Sequence, residues 1–122
     1  MKVIIAGSRT ITPSVTQFAN IIKESKFNIK LLVSGGASGV DSSAEFYCNL
    51  HGIPSTERDF HVPKWVWDYL GRKAGPLRNK EMAKFADALI LIWDGKSKGS
   101  ASMKFEMEKL NKPIYEVILT DN

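Results

Sequence analysis

The residues best suited to chemistry lie in one run, Ser34-Gly35-Gly36-Ala37-Ser38-Gly39-Val40-Asp41, directly after the apolar stretch Ile29–Val33. A strand ending in a glycine-rich turn that opens a helix leaves backbone N–H groups at the positive end of the helix dipole, which favours phosphate. Three further polar segments have the same character. Gly7-Ser8-Arg9 follows an apolar run and supplies a hydroxyl and a guanidinium that can grip phosphate as a fork. Gly75-Pro76-Leu77-Arg78-Asn79 opens an expected helix. Trp93-Asp94-Gly95-Lys96-Ser97-Lys98-Gly99-Ser100 follows the most apolar run of the chain. Asp41, Glu45 one turn later, and Arg78 make a carboxylate pair and a cation that suit acid–base work. Asp41 equally suits the first turn of a helix as a dipole partner, and Glu45 suits a solvated helix face. Trp93 or Trp67 offers a stacking surface for a base, and Trp93, ending an apolar strand, also suits the core.

The elements that must position these segments alternate. Lys2–Ala6, Ile29–Val33, Asp87–Trp93 and Ile114–Leu119 read as buried strands, and Pro54–Phe60 as a poorer one at an edge. Thr12-Pro13 reads as a helix start with Thr12 as cap, followed by Val15, Phe18, Ala19 and Ile22 at helical spacing. Val40–Leu50 reads as a helix stopped by Gly52, with Val40, Ala44, Tyr47 and Cys48 inward. Trp65 to Tyr69 has no clean period and reads as a loop or short helix, forming a lid or a subunit contact. A helix from Gly75 to about Phe85 turns Leu77, Met82 and Phe85 inward, and one from Ala101 to Leu110 does so with Met103, Met107 and Leu110. This alternation predicts one α/β domain over residues 1–122: a Rossmann-like, mostly parallel sheet of about five strands with helices on both faces. In such sheets ligands bind beyond the C-terminal strand ends, where all four polar segments fall.

A chain of 122 residues suffices for one core without staples. Its single cysteine, Cys48, excludes an intramolecular disulfide and reads as a small core residue. His51 and His61 lack carboxylates at ligand spacing, so no metal is expected. With no leader-like start and no run of 18 apolar residues, a cytoplasmic chain without membrane partners is expected. A net charge of +4 fits an anionic ligand but is modest for a polynucleotide groove.

With Gly7-Ser8-Arg9, Ser34–Asp41 with Ala44-Glu45, Gly75–Asn79 with Met82, Ala86-Asp87-Ala88 and Trp93–Gly99 in this order, the chain resembles the SLOG superfamily of small Rossmann-like proteins. Within it, the YspA-like group of short stand-alone proteins is the nearest in pattern. The resemblance implies a nucleotide or nucleotide-derived ligand, held without a further cofactor by Gly7, Ser8 and Arg9; by Ser34, Gly35, Gly36, Ala37, Gly39, Val40 and Asp41; by Gly75, Arg78 and Asn79; and by Trp93, Asp94, Lys96, Ser97, Gly99 and Ser100. It implies a homo-oligomer (dimer or tetramer) and a sensing, carrying or sequestering role, of the kind a phage would direct against a nucleotide signal. The chain is also similar to the "lonely guy" phosphoribohydrolases, which cleave the N-glycosidic bond of nucleoside monophosphates with an arginine and a glutamate. Arg78 matches the arginine, but the loop Gly95–Ser100 is followed by Ala101, Ser102 and Met103 rather than glutamate. Hydrolysis by this chain would therefore need Asp41 or Glu45 in that role. The Ser34–Asp41 segment is similar, too, to the single-stranded-DNA-binding DNA-processing protein A family, which gives a polynucleotide as the third alternative.

Overall fold

A computed structural model describes residues 1–56, 60 and 64–119. Four strands, β1 (Lys2–Gly7), β2 (Leu31–Val33), β3 (Ala88–Trp93) and β4 (Ile114–Ile118), form a parallel sheet in the order β2-β1-β3-β4. Side chains alternate across each strand, so each face takes every second residue. One face carries Val3, Ile5, Ala88, Ile90 and Ile92 and packs under α1 (Val15–Ser25) and α2 (Val40–Leu50). The other carries Ile4, Val33, Leu89, Leu91 and Trp93 under α4 (Ala74–Phe85) and α5 (Lys98–Lys109). The run Ala88–Trp93 is buried throughout, as a central strand covered on both faces requires. A short α3 (Lys64–Leu70) runs through a 3-10 turn (Gly71–Lys73) straight into α4.

The fifth expected strand, over 54–60, is not formed among the described residues; 57–59 lie outside them. It reduces to one parallel bridge between Leu32 and Ser55. Leu32 N–H donates to the Pro54 carbonyl and Thr56 N–H to the Leu32 carbonyl. The Thr56 hydroxyl then takes the next rung itself, accepting from Ser34 N–H at 3.4 Å and donating to the Leu32 carbonyl at 3.3 Å. A side chain that satisfies the neighbouring backbone in this way ends the ladder.

Other expectations shift in detail. The cap of α1 is Ser14, not Thr12: Ser14 Oγ accepts from Gln17 N–H at 3.1 Å while Gln17 Oε1 accepts from Ser14 N–H at 2.8 Å. This reciprocal box satisfies two orphan groups and outweighs the preference of Pro13 for the first helical position. Gly75 and Pro76 follow no loop; they sit in the first turn of α4, where proline's missing N–H costs no helical bond. Leu77 is 51% exposed and Phe85 38%, so Met82 with Ala83, not those two, forms the inner face of α4. Phe85 lies beside the Phe60 ring and under the Lys2 ammonium. Leu110 follows the last residue of α5 and is exposed, leaving Met103 and Met107 inward. Cys48 is buried as expected, its thiol pushed up to about 11 by burial. His51 stacks on Tyr47, and His61 lies outside the described residues. No helix among the described residues is long and apolar enough to cross a membrane.

Candidate functional site

From β1 the chain crosses to β2 on one side, then returns to β3 on the other. The switch point therefore lies between β1 and β3, where loops leaving adjacent parallel strands diverge and open a crevice. Gly7 ends β1 there. A Cβ on it would stand 1.7 Å from the Ile92 carbonyl oxygen, so only glycine lets the two strand ends stay this close. Ser8, 2% exposed, joins the two loops: its N–H donates to the Ile92 carbonyl at 3.2 Å and its Oγ accepts from Asp94 N–H at 3.2 Å.

The β2 loop docks on the same point. Gly39 has φ +75° and ψ −125° and lies against the Ser8 and Arg9 carbonyls, which leave no space for a Cβ. Val40 N–H donates to the Ser8 carbonyl at 3.2 Å. Ser34 is fully buried, its Oγ accepting from Gly36 N–H and donating to Glu45 Oε2 at 2.9 Å. Ser34 and Glu45 thus brace the loop.

A cavity of about 350 Å³ lies over these loops. Gly7, Ser8, Arg9 and Thr10 line it from β1, and Ala37 and Asp41 from the β2 loop and α2. Arg78, Asn79 and Met82 line it from α4; Asp94, Ser97, Gly99, Ser100 and Met103 from the β3 loop and α5. The four segments expected to converge therefore do so. A chain of hydrogen bonds spans the mouth. Arg78 Nη1 donates to the Gly35 carbonyl at 3.1 Å, and its Nε and Nη2 donate to Asn79 Oδ1 at 3.3 and 3.0 Å. Asn79 Nδ2 in turn donates to the Gly99 carbonyl and to Ser102 Oγ, each at 3.3 Å. The guanidinium is thereby fixed between the β2 loop and the first turn of α5.

The electrostatics favour an added anion. Burial pushes the Asp41 carboxyl above its usual range, opposed by Arg78 and by the backbone of Ala37 and Gly7. Burial, and then the like charge of Arg9, lower the Arg78 guanidinium, with Asp41 opposing. Asp94 is held low because Oδ1 accepts from Lys96 and Ser97 N–H at 2.8 and 2.9 Å. Two arginines thus line one cavity with a carboxylate whose ionisation burial opposes. An anion there would meet two cations and offset the like charge that Arg9 sets beside Arg78.

The start of α5 supplies the second element. Ser97 caps it, accepting from Ser100 N–H. Ser100 is 4% exposed, and its Oγ is the one buried side-chain polar atom without a partner among the described residues. An unmet buried hydroxyl is costly, so one in a residue that lines a cavity at the first turn of a helix suits an acceptor that arrives from outside.

Several expected ligand residues fall outside the cavity lining. Val40 belongs to the core, and Glu45 is turned to Ser34. Trp93 is buried in the sheet's other face with Nε1–H donating to Glu116 Oε2 at 2.7 Å, so it offers no stacking surface. Lys96 is exposed on its turn, and Gly75 lies within α4. Sequence reading missed Thr10, Met82 and Met103 as lining residues; helical spacing from Asn79 and Ser100 was the available signal for the two methionines. It also placed the start of α5 three residues late, missing the Ser97-x-x-Ser100 cap.

No known family profile matches the chain. A relative exists in the Gene 61 protein of Mycobacterium phage D29, 31% identical over 120 residues and aligned over 93% of each chain. The fold is similar to that of DNA processing protein A from Streptococcus pneumoniae, with a TM-score of 0.64 at 18% identity. That match covers 98% of this chain, which spans about half the length of the solved one.

Proposed function

This chain belongs to the family of the Gene 61 protein of Mycobacterium phage D29, and from the cleft it carries we propose that it binds a phosphate-bearing, nucleotide-type ligand at the β1–β3 switch point. The observation that carries this reading is the convergence of Arg9, Arg78 and the first turn of α5 on one cavity, which Ser100 also lines, its Oγ buried and without a partner among the described residues. Phosphate oxygens there meet the Ser100 hydroxyl, the opening N–H groups of α5, and the Arg9 and Arg78 guanidiniums. Asp41 lines the same cavity, and its carboxyl would accept from a sugar hydroxyl when ionised or donate to a phosphate oxygen when protonated. This supports the SLOG-like, YspA-like reading of the motifs. A phage family fits a sequestering or sensing role toward a nucleotide-derived signal.

The test is calorimetric titration of ribose 5-phosphate and ADP into wild type and Ser100→Ala. The variant is expected to be at least as stable as wild type, because it removes an unmet buried hydroxyl, and to bind both ligands about 2- to 12-fold more weakly, as loss of one hydrogen bond implies. Unchanged affinity in Ser100→Ala, or no binding by wild type, would overturn the reading.

Two other readings have a specific observation behind them. Asp41, a buried carboxyl beside Arg78, is the residue an N-glycosidic hydrolase would use; chromatography of the incubated nucleotides for free base tests this, and intact recovery excludes it for those substrates. The fold likeness to DNA processing protein A, with Trp65 and Tyr69 exposed on α3, favours single-stranded DNA. Affinity would then rise with oligonucleotide length and fall steeply with salt; length-independent binding excludes it.

A further inference from the structure

A second cavity, of about 410 Å³, adjoins the first and shares Arg9, Ala37 and Arg78 with it. Its character differs. Where the first adds residues with hydroxyls, carboxyls and an amide, the second adds Gly35, Gly36, Ser38 and Trp67. Trp67 comes from α3, and its outer edge rests against Gly75 of α4, where a Cβ would stand 3.4 Å from the ring. Opposite it, Gly35 leaves space for the Arg78 guanidinium, which a Cβ there would meet at 2.4 Å. The tryptophan, the arginine and the two glycines line the same space, together with Ser38. Each cavity alone is at the small end of the roughly 300–1,000 Å³ that small-molecule sites occupy; joined, they fall well within it.

We infer that the Trp67 chamber is a base-binding subsite. It takes the planar heterocycle of the ligand whose phosphate lies in the first cavity, with the sugar passing between Arg9 and Arg78 over Ala37. The inference rests on the phosphate reading above. Aromatic and guanidinium planes accept any base by its π-face, so the chamber selects for a base as such, and Ser38 and the loop backbone supply the edge contacts.

Titration of ADP and of ribose 5-phosphate into wild type, Trp67→Ala, Trp67→Phe and Trp65→Ala tests it. Wild type is expected to bind ADP at least tenfold more tightly than ribose 5-phosphate. Trp67→Ala should weaken ADP by about 5- to 150-fold, the loss of one base–aromatic stack, and leave ribose 5-phosphate unchanged. Trp67→Phe should keep most of the ADP affinity, and Trp65→Ala, on the exposed side of the same helix, all of it. Far-ultraviolet circular dichroism verifies that each variant is folded, and Trp67→Leu, which keeps apolar bulk without a ring to stack, carries the same expectation if Trp67→Ala does not fold. ADP binding that is equal in wild type and Trp67→Ala, or no tighter than that of ribose 5-phosphate, overturns the base subsite while leaving the phosphate reading intact. Failure of wild type to bind either ligand overturns both.

Discussion

Replacing Gly39 by alanine should cost several kcal/mol of stability. Two effects add. The backbone at φ +75°, ψ −125° is outside the regions open to an L-residue, a strain of about 1–3 kcal/mol. The new Cβ would also stand 2.4 Å from three backbone atoms: the Ser8 oxygen and the Arg9 carbon and oxygen. Those atoms belong to main chain and cannot swing aside as a side-chain end can. The β1 and β2 loops must part, stretching the Val40 N–H bond to Ser8, for about 1–2 kcal/mol more. The sum is about 2–5 kcal/mol. Unfolding entropy of about 2.1 cal/mol/K per residue over this chain makes 1 kcal/mol worth about 4 °C, so the midpoint should fall by about 8–20 °C. Gly99→Ala is the control, since nothing lies within 4 Å of its Cβ position and its φ is outside the left-handed region; it should shift the midpoint by no more than about 4 °C, most simply upward. Thermal melts by circular dichroism, with urea midpoints alongside, decide it. A Gly39→Ala protein that melts with Gly99→Ala would show that the two loops are not locked together as described.

The remaining predictions concern buried ionisable groups. The Asp41 carboxyl is raised in the folded state by burial, so its contribution to stability is fully present below the ordinary carboxylate value and is lost as pH rises through the raised one. Asp41→Asn should therefore gain on wild type in urea midpoint as pH goes from 4 to 7; a wild type that gains on the variant would refute the assignment. The Cys48 thiol, buried and pushed up to about 11, should resist iodoacetamide at pH 8 in the native protein and react in 6 M urea. Native-state labelling at the rate of a free thiol would contradict that placement.

The loci of chemistry were legible in the sequence to the extent that they depend on strand ends. A run such as Ala88–Trp93, apolar throughout, has one stable place, a central strand covered on both faces, and the polar residues after it must then stand at the sheet's C-terminal edge. The bounds of α2 were equally legible, because Val40, Ala44, Tyr47 and Cys48 recur at helical spacing between two glycines. Caps and strand ends were less so. Whether Thr12 or Ser14 caps α1, and whether 54–60 forms a full strand, turned on single hydroxyls choosing among nearby backbone groups, and those choices differ by about 1 kcal/mol. Trp93 shows the same limit. Its type suits stacking and core alike, and the carboxylate of Glu116, 23 residues away in sequence, satisfies its indole N–H inside the fold.

The sequence by itself therefore determined the alternation of strands and helices, the parallel sheet, and the edge of it at which glycines, serines and arginines gather, because hydrophobic period and turn chemistry are local properties. Only the tertiary structure decided which of those polar groups share a cavity. It set Glu45 on Ser34, Arg78 between Gly35 and Asn79, and Trp67 against Gly75, and it left Ser100 Oγ buried without a partner among the described residues. Each of these follows from contacts between elements distant in the chain, where the space left by a missing Cβ or the carbonyl of another loop settles which way a side chain can turn.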